Sequence, residues 1–329
     1  MTTFDVVTLG EALLRLTPPH LQRIEQAQQF NIDVAGSEIN TAVGLARLGV
    51  QVSWLSRLPD SPLGKYITQH LHAHGVDASY VTWSESERLG LYFWEDAQPP
   101  RSNLVLYDRQ DSAASHMCAT DLPAELFQKN QAQHLHLTGI TPALSSETAK
   151  MTQRAAEMAK EAGWTFSFDI NLRRKLWTPD EAQKICIPLI KLADVFITPL
   201  RDAQAVLKVD PALNGEDALA LLAQEFPNKV IAMTLGVDGS IGLDRNGRIH
   251  HQPIFPTIVV DRLGSGDAFT AGLLYGYYFS DSRNDLAQAL RWGNAMAAMK
   301  RTIRGDLPLV DKTAVTQLVQ SKTILEDSR

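Results

Sequence analysis

Near the C-terminal end of the chain, Asp261-Arg262-Leu263-Gly264-Ser265-Gly266-Asp267 sets a glycine-bearing turn against a carboxylate at the start of an apolar segment. Ile258 to Val260 is a β-branched run that predicts a strand, and Ala268, Phe269, Ala271, Leu273 and Leu274 predict a helix. A strand, a glycine turn and a helix together point unpaired backbone N–H groups at one spot, and an anion suits them. A carboxylate in the same place is costly unless it has chemistry to do. The simplest such chemistry is phosphoryl transfer, in which Asp267 takes the proton of a hydroxyl nucleophile and the Gly264, Ser265 and Gly266 amides steady the transferred group. The same residues also make an ordinary helix start, because Asp is a favoured N-cap, so the rest of a site has to come from elsewhere in the chain.

The elements that would position those residues alternate. Phe4–Leu9, Gln51–Ser56, His134–Leu137, Thr165–Ile170, Val195–Thr198 and Val230–Thr234 predict strands. Helical spacing marks 41–48, 63–74, 145–163, 180–192, 202–207, 216–224, 267–279, 285–302 and 311–320, with Thr178 as a cap and Pro179 at a first helical position. Such alternation predicts a parallel sheet with helices on both faces, and ligands then sit beyond the carboxyl ends of the strands. Polar or glycine-bearing turns fall there at Gly36–Asn40, Gly139, Asp169–Arg173, Gly236–Gly239 and Gly264–Asp267. Ser240–Leu243 and Ile249–His251 predict a hairpin around Asn246-Gly247. The pattern breaks at 13–34, which predicts extended structure, and at 78–109. There Ala78–Trp83, Leu89–Glu95 and Ser102–Tyr107 predict an antiparallel insert that could cover a site.

Composition narrows the chemistry. Hydrophobic residues make up 44% and charged residues 21% of 329, and the net charge is −6 with no Lys/Arg-rich block. Those values fit a globular protein and disfavour nucleic acid or a membrane surface as partner, so placed cations must hold any anionic ligand. Arg109 and Arg173 are two such cations, with the fork geometry that suits a carboxylate; Tyr92 and Tyr107 fall on the insert strands. Cys118 and Cys186 lie in no CxxC or Cys/His cluster, and His70/His72/His74 and His134/His136, spaced by two, show no complete set of metal ligands and read as surface or packing residues. The absence of a basic leader or long apolar run suggests a cytoplasmic protein. Neither a Walker A sequence nor a protein-kinase glycine loop occurs.

Asp261–Phe269 resembles the C-terminal signature of the ribokinase-like PfkB carbohydrate kinases. Gly36–Ala42 followed by Leu45-Ala46-Arg47-Leu48-Gly49 is similar to their N-terminal signature. Within that family Gly90–Phe93, Tyr107–Arg109, Phe168–Arg173 with Leu176-Trp177, and Lys300–Asp306 resemble the 2-keto-3-deoxygluconate kinase branch. The resemblance implies a three-layer α/β sandwich with a mainly parallel sheet and a small antiparallel β-sheet lid. The core would be 1–12, 36–88 and 110–329, and the lid 13–35 and 89–109. It implies ATP-dependent phosphorylation of a sugar-acid hydroxyl, at C6 for 2-keto-3-deoxygluconate, with Mg²⁺ accompanying the nucleotide and the lid joining copies into a homo-oligomer.

By position, the resemblance implies that Asp267 is the base and that Gly36, Asn40, Tyr92, Tyr107, Arg109 and Arg173 bind the sugar acid. Asn171, Thr234, Gly236, Gly239 and Asn294 would contact ATP. The family's Asn-x-x-Glu stretch is replaced by Thr198-Pro199-Leu200-Arg201-Asp202-Ala203, which leaves the metal ligands unassigned, with Asp202 or water as substitutes. Two other readings stay open: a neutral-sugar kinase such as a fructokinase, which would not need two convergent arginines, and a non-catalytic sugar or nucleotide sensor.

Overall fold

In the computed structural model, which describes residues 3–321, the strands and helices follow in this order. Val6–Leu9 (β1), Leu13–Thr17 (β2) and Asn31–Ala35 (β3) precede Ser37–Arg47 (α1). Val52–Pro59 (β4), Pro62–Ala73 (α2), Val76–Asp77 (β5), Val81–Ser84 (β6), Gly90–Glu95 (β7) and Leu104–Asp108 (β8) come next. The centre holds His134–Thr138 (β9), Ser146–Glu161 (α3), Thr165–Asp169 (β10), Pro179–Leu192 (α4), Val195–Pro199 (β11), Leu200–Val206 (α5) and Gly215–Glu225 (α6). Val230–Thr234 (β12), Ser240–Leu243 (β13), Ile249–Gln252 (β14), Ser265–Leu274 (α7), Leu286–Arg301 (α8) and Lys312–Gln320 (α9) complete the chain, with a π-helical turn over Tyr275–Phe279 after α7.

The large sheet runs β14-β13-β12-β11-β10-β9-β1-β4-β5, with β6 also paired to β4. It is parallel from β12 to β6 and antiparallel only in the β12-β13-β14 meander. Strand alternation sorts the core into two layers. Phe166, Phe168, Phe196 and Ile231 face one way and pack against Met151, Ala155, Cys186, Leu189, Val206 and Leu222 of α3 to α6. Val195, Ile197, Val230 and Ala232 face the other way, against Phe269 and Leu273 of α7 and Leu290 of α8. Local chemistry ends the helices where the sequence marks them. Ser145 Oγ accepts from Thr148 N at the start of α3, and Thr178 caps α4 with Pro179 at its first position. No helix among the described residues is long and apolar enough to cross a membrane.

Two expectations need correction. Residues 258–260 form no strand: Ile258 is 88% exposed, and Val260 N and Asp261 N donate to Arg301 O instead. The large sheet ends at β14, and the chain must cross back to seat α7 against α1 and α8, so this run is spent as a connection. Residues 81–84 do not join the insert; they extend the large sheet as β6, parallel to β4. The small sheet, ordered β3-β2-β7-β8, is antiparallel at both outer pairs but parallel between β2 and β7. Strands β2 and β7 each leave the core just after a parallel strand, β1 and β6, so they emerge pointing the same way. His134 and His136 are packing residues, fully buried on β9 and bonded to Thr165 Oγ1 and Ser167 Oγ.

Candidate active site

A cleft opens between the small sheet and the carboxyl ends of the parallel strands. Gly264, at φ +73°, caps α7, and a Cβ there would stand 1.9 Å from Asp306 O, so only glycine fits. The first intrahelical bond runs from Ala268 N to Gly264 O, which leaves Gly266 N and Asp267 N ahead of the helical ladder. Ser265 N is engaged by Arg262 O at 3.3 Å. A Cβ on Gly266 would meet nothing within 4 Å, so open space lies in front of the turn.

Asp267 reaches this opening fully braced. Its Oδ1 accepts from Ser37 Oγ at 2.6 Å and Asn171 Nδ2 at 3.2 Å, and its Oδ2 accepts from Asn40 Nδ2 at 2.7 Å. Ser37 and Asn40 lie in the first turn of α1, whose N-cap is Gly36. At φ +154°, Gly36 packs so tightly that a Cβ would sit 2.3 Å from Glu11 O. Asn171 adopts φ +41°, a conformation asparagine tolerates better than most residues, and this turns its amide toward Ser37 and Asp267. Behind it, burial pushes the Asp169 carboxyl well above its usual range, and the charges of Asp267 and Asp202 add to the effect. Burial likewise raises Asp202, which accepts from Leu172 N at 3.0 Å.

Tyr92, Tyr107 and Arg109 line the cleft from the small sheet and Arg173 from the loop after β10. The two arginines differ. Arg109 is buried, stacks over Tyr107 at 5.2 Å and is ion-paired to the buried Glu11, whose other oxygen accepts from Ser112. Burial pushes the Glu11 carboxyl up, and Arg109 works against that shift. Arg173 is half-buried and forms no ion pair among the described residues. The Tyr92 hydroxyl donates to Asp306 Oδ2 at 2.8 Å, and Asp306 Oδ1 accepts from Arg15 at 2.9 Å.

The proposed nucleotide contacts fall into two groups. Asn171 belongs with Asp267. Thr234 ends β12, and Gly236 and Gly239, both at positive φ, frame the turn to β13; neither they nor Asn294 line the cleft. Asn294, on α8, gives its amide hydrogens to Gln252 O and Pro253 O, so it holds the exit of β14. Nearby, Ser240 Oγ and Gln252 Oε1 are buried without a hydrogen-bond partner among the described residues. Among the described residues no group of three or more His, Cys, Asp or Glu is arranged to hold a metal ion.

Sequence reasoning missed Glu11, Arg15, Ser37 and Asp306 as site residues. Ser37 and Asp306 stand inside segments already marked by resemblance. A charge at Arg15, inside the apolar strand Leu13–Leu16, is the one signal that could have singled that residue out.

Residues 3–312 match the model of the pfkB family carbohydrate kinases. The chain belongs to the PfkB family. It is 38% identical over 321 residues to the 2-dehydro-3-deoxygalactonokinase of Haloferax volcanii, covering 97% of each. The structure of the 2-dehydro-3-deoxygluconokinase of Thermotoga maritima superposes with a TM-score of 0.89 at 31% identity, over 97% of this chain and 100% of that one. The fructokinase of Vibrio cholerae, solved with fructose, ADP and calcium, superposes at 0.82 with 25% identity, over 97% of this chain and 100% of that one. As a PfkB carbohydrate kinase, the chain places its N- and C-terminal signatures face to face, and they meet at Asp267.

Proposed function

We propose that this kinase transfers the γ-phosphoryl group of ATP to the C6 hydroxyl of a 2-keto-3-deoxy sugar acid, 2-keto-3-deoxy-D-gluconate first and its galactonate epimer next. The observation that carries the acid reading is Arg173. Arg173 lines the cleft with no carboxylate in ion-pair contact among the described residues, the charges of Asp169 and Asp202 reaching it only at longer range, whereas Arg109 and Arg15 are directly paired to Glu11, Asp261 and Asp306. A half-buried cation with no direct ion pair favours an anionic ligand.

In this reading Asp267 accepts the hydroxyl proton as oxygen attacks the γ-phosphorus, the bond to the bridging oxygen breaks and ADP leaves. The turn Gly264–Gly266 lies against the transferred group, with the Gly266 and Asp267 amides free to donate. Gly36, Asn40, Tyr92, Tyr107, Arg109 and Arg173 hold the sugar acid. Thr234, Gly236, Gly239 and Asn294 border the nucleotide, where unpartnered Ser240 Oγ and Gln252 Oε1 can take hydrogen bonds. Mg²⁺ would arrive on the nucleotide phosphates and offset their charge, which suits a chain with no preformed carboxylate cage among the described residues. The segments 13–35 and 89–109 act as a lid. Exposed Ile32, Leu104 and Leu106 on that sheet support its use in joining two copies.

The Glu11–Arg109 pair favours the second reading, a neutral-sugar kinase, because it removes one of the two arginines from ready service. One assay decides between the readings. The protein is incubated with ATP, Mg²⁺ and a panel of both 2-keto-3-deoxy acids, fructose and ribose, and ADP release and product are followed. Turnover confined to the acids supports the proposal, turnover of fructose alone replaces it, and ligand binding without any turnover leaves a sensor.

A further inference from the structure

Arg15 stands on β2, a central strand of the small sheet, at 3% exposure. Its partners lie in the core, 246 and 291 residues further along: Asp261 Oδ2 at 2.8 Å and Asp306 Oδ1 at 2.9 Å, both from Nη1. Nε donates to Thr17 Oγ1, and the guanidinium lies 5.6 Å from the centre of the Trp94 ring. The two carboxylates hold the turn in front of α7. Asp261 accepts from Leu263 N through Oδ1 and from Gly305 N through Oδ2, and the backbone of Asp306 is the surface on which Gly264 rests. Lys300 is also buried nearby, but its Nζ donates to Ile303 O, so the direct bonds to both acids come from Arg15. Without it, two buried carboxylates would face each other, and their repulsion would open the turn they shape.

We propose that Arg15 is a positioning residue that makes the seating of the small sheet and the geometry of the Gly264–Gly266 turn one event. Tyr92 shares Asp306 with Arg15, so a sugar that touches Tyr92 acts on the same carboxylate that supports the turn. Catalytic geometry is then complete only when the sheet is down over its sugar, which keeps the γ-phosphoryl group from water. This inference rests on the phosphoryl-transfer reading above.

The test uses the full chain with Arg15→Lys, Arg15→Gln and the double variant Arg15→Gln/Asp261→Asn, each checked for folding by its melting transition. Lysine keeps the charge but not the fork. The expected result is a kcat at least tenfold lower for Arg15→Lys and lower still for Arg15→Gln, with the sugar KM within threefold of wild type. The ratio of ADP released to sugar phosphate formed should rise above one as water takes the phosphoryl group, giving ADP and inorganic phosphate. Removing one of the opposed charges in the double variant should restore part of kcat, which a simple packing defect would not. Titration of a non-hydrolysable ATP analogue, with and without 2-keto-3-deoxygluconate, reads the coupling without turnover: several-fold in wild type, under twofold in Arg15→Lys. Wild-type kcat, a one-to-one ratio and undiminished coupling in folded Arg15→Lys would overturn the inference. A wild type that binds sugar acid and nucleotide but phosphorylates nothing would overturn the functional reading instead, and the titration still decides the role of Arg15.

Discussion

Ser37 Oγ donates to Asp267 Oδ1 at 2.6 Å, although the two residues lie 230 positions apart. With Asn40 Nδ2 on the other oxygen at 2.7 Å, the carboxylate is fixed as an acceptor on both sides. Asp267→Asn keeps the volume and removes the base. Turnover should fall by about 10² to 10⁴, while calorimetry shows sugar affinity within a few-fold of wild type. Equal turnover in the variant would remove Asp267 from that role.

Arg173 and Arg109 should respond differently to truncation. Arg173→Ala breaks no direct ion pair, only the longer-range attraction to Asp169 and Asp202, and it should weaken sugar acids about tenfold to a hundredfold, the worth of a charge-assisted hydrogen bond, with little change for neutral sugars. Arg109→Ala abandons the buried Glu11 and should cost about 3 to 5 kcal/mol of stability as well. Kinetics on paired acid and neutral substrates, with thermal melts of both variants, separate the two effects.

The two glycines of the turn give opposite signatures. Gly264→Ala forces a Cβ against Asp306 O at positive φ, so both melting temperature and activity should drop. Gly266→Ala meets no atom of the described residues within 4 Å outside its own helix turn, so stability should hold within about 0.5 kcal/mol while kcat falls, because the methyl group fills the space in front of the amides. A Gly266→Ala enzyme with full kcat would place the transferred group elsewhere.

Glu38, fully buried on α1, accepts from Thr138 Oγ1 and Thr141 Oγ1, and burial raises its carboxyl to about 7. The unfolded chain loses this proton near 4.5 and the folded chain only near 7, so ionisation favours unfolding across that window. The wild type therefore sheds stability as pH rises from 4.5 to 7, and Glu38→Gln does not. Denaturant melts should show the variant gaining on wild type across that interval, by on the order of 3 kcal/mol at the plateau above pH 7. A constant difference between pH 4.5 and 8 would contradict the assignment.

Much of this was readable because strand and helix periods are local. The alternation from Val6 to Thr234 and the capping of α4 at Thr178 follow from nearest neighbours in the chain. The turn at Gly264–Asp267 was legible as chemistry because an acid beside an anion site is unusual. Residues 258–260 misled because β-branched composition does not reveal whether a sheet edge is available. Glu11, Arg15 and Asp306 were invisible for a related reason. Their meaning lies in partners up to 291 residues away, and no spacing rule reports a buried ion pair at that distance. The pairing of Arg109 with Glu11 shows the same limit: an arginine can be placed in the cleft from sequence while its neutralising partner goes unseen.

The long span from Arg15 to Asp306 also bears on how the molecule is made. During synthesis β2 leaves the ribosome long before either of its acidic partners exists, so a strand carrying an uncompensated guanidinium must wait in water for the last fifth of the chain. The small sheet can make both of its buried ion pairs only once Asp306 has been synthesised, so a nascent chain that stops short of it has both signatures in hand but lacks the contact that ties the sheet to the turn.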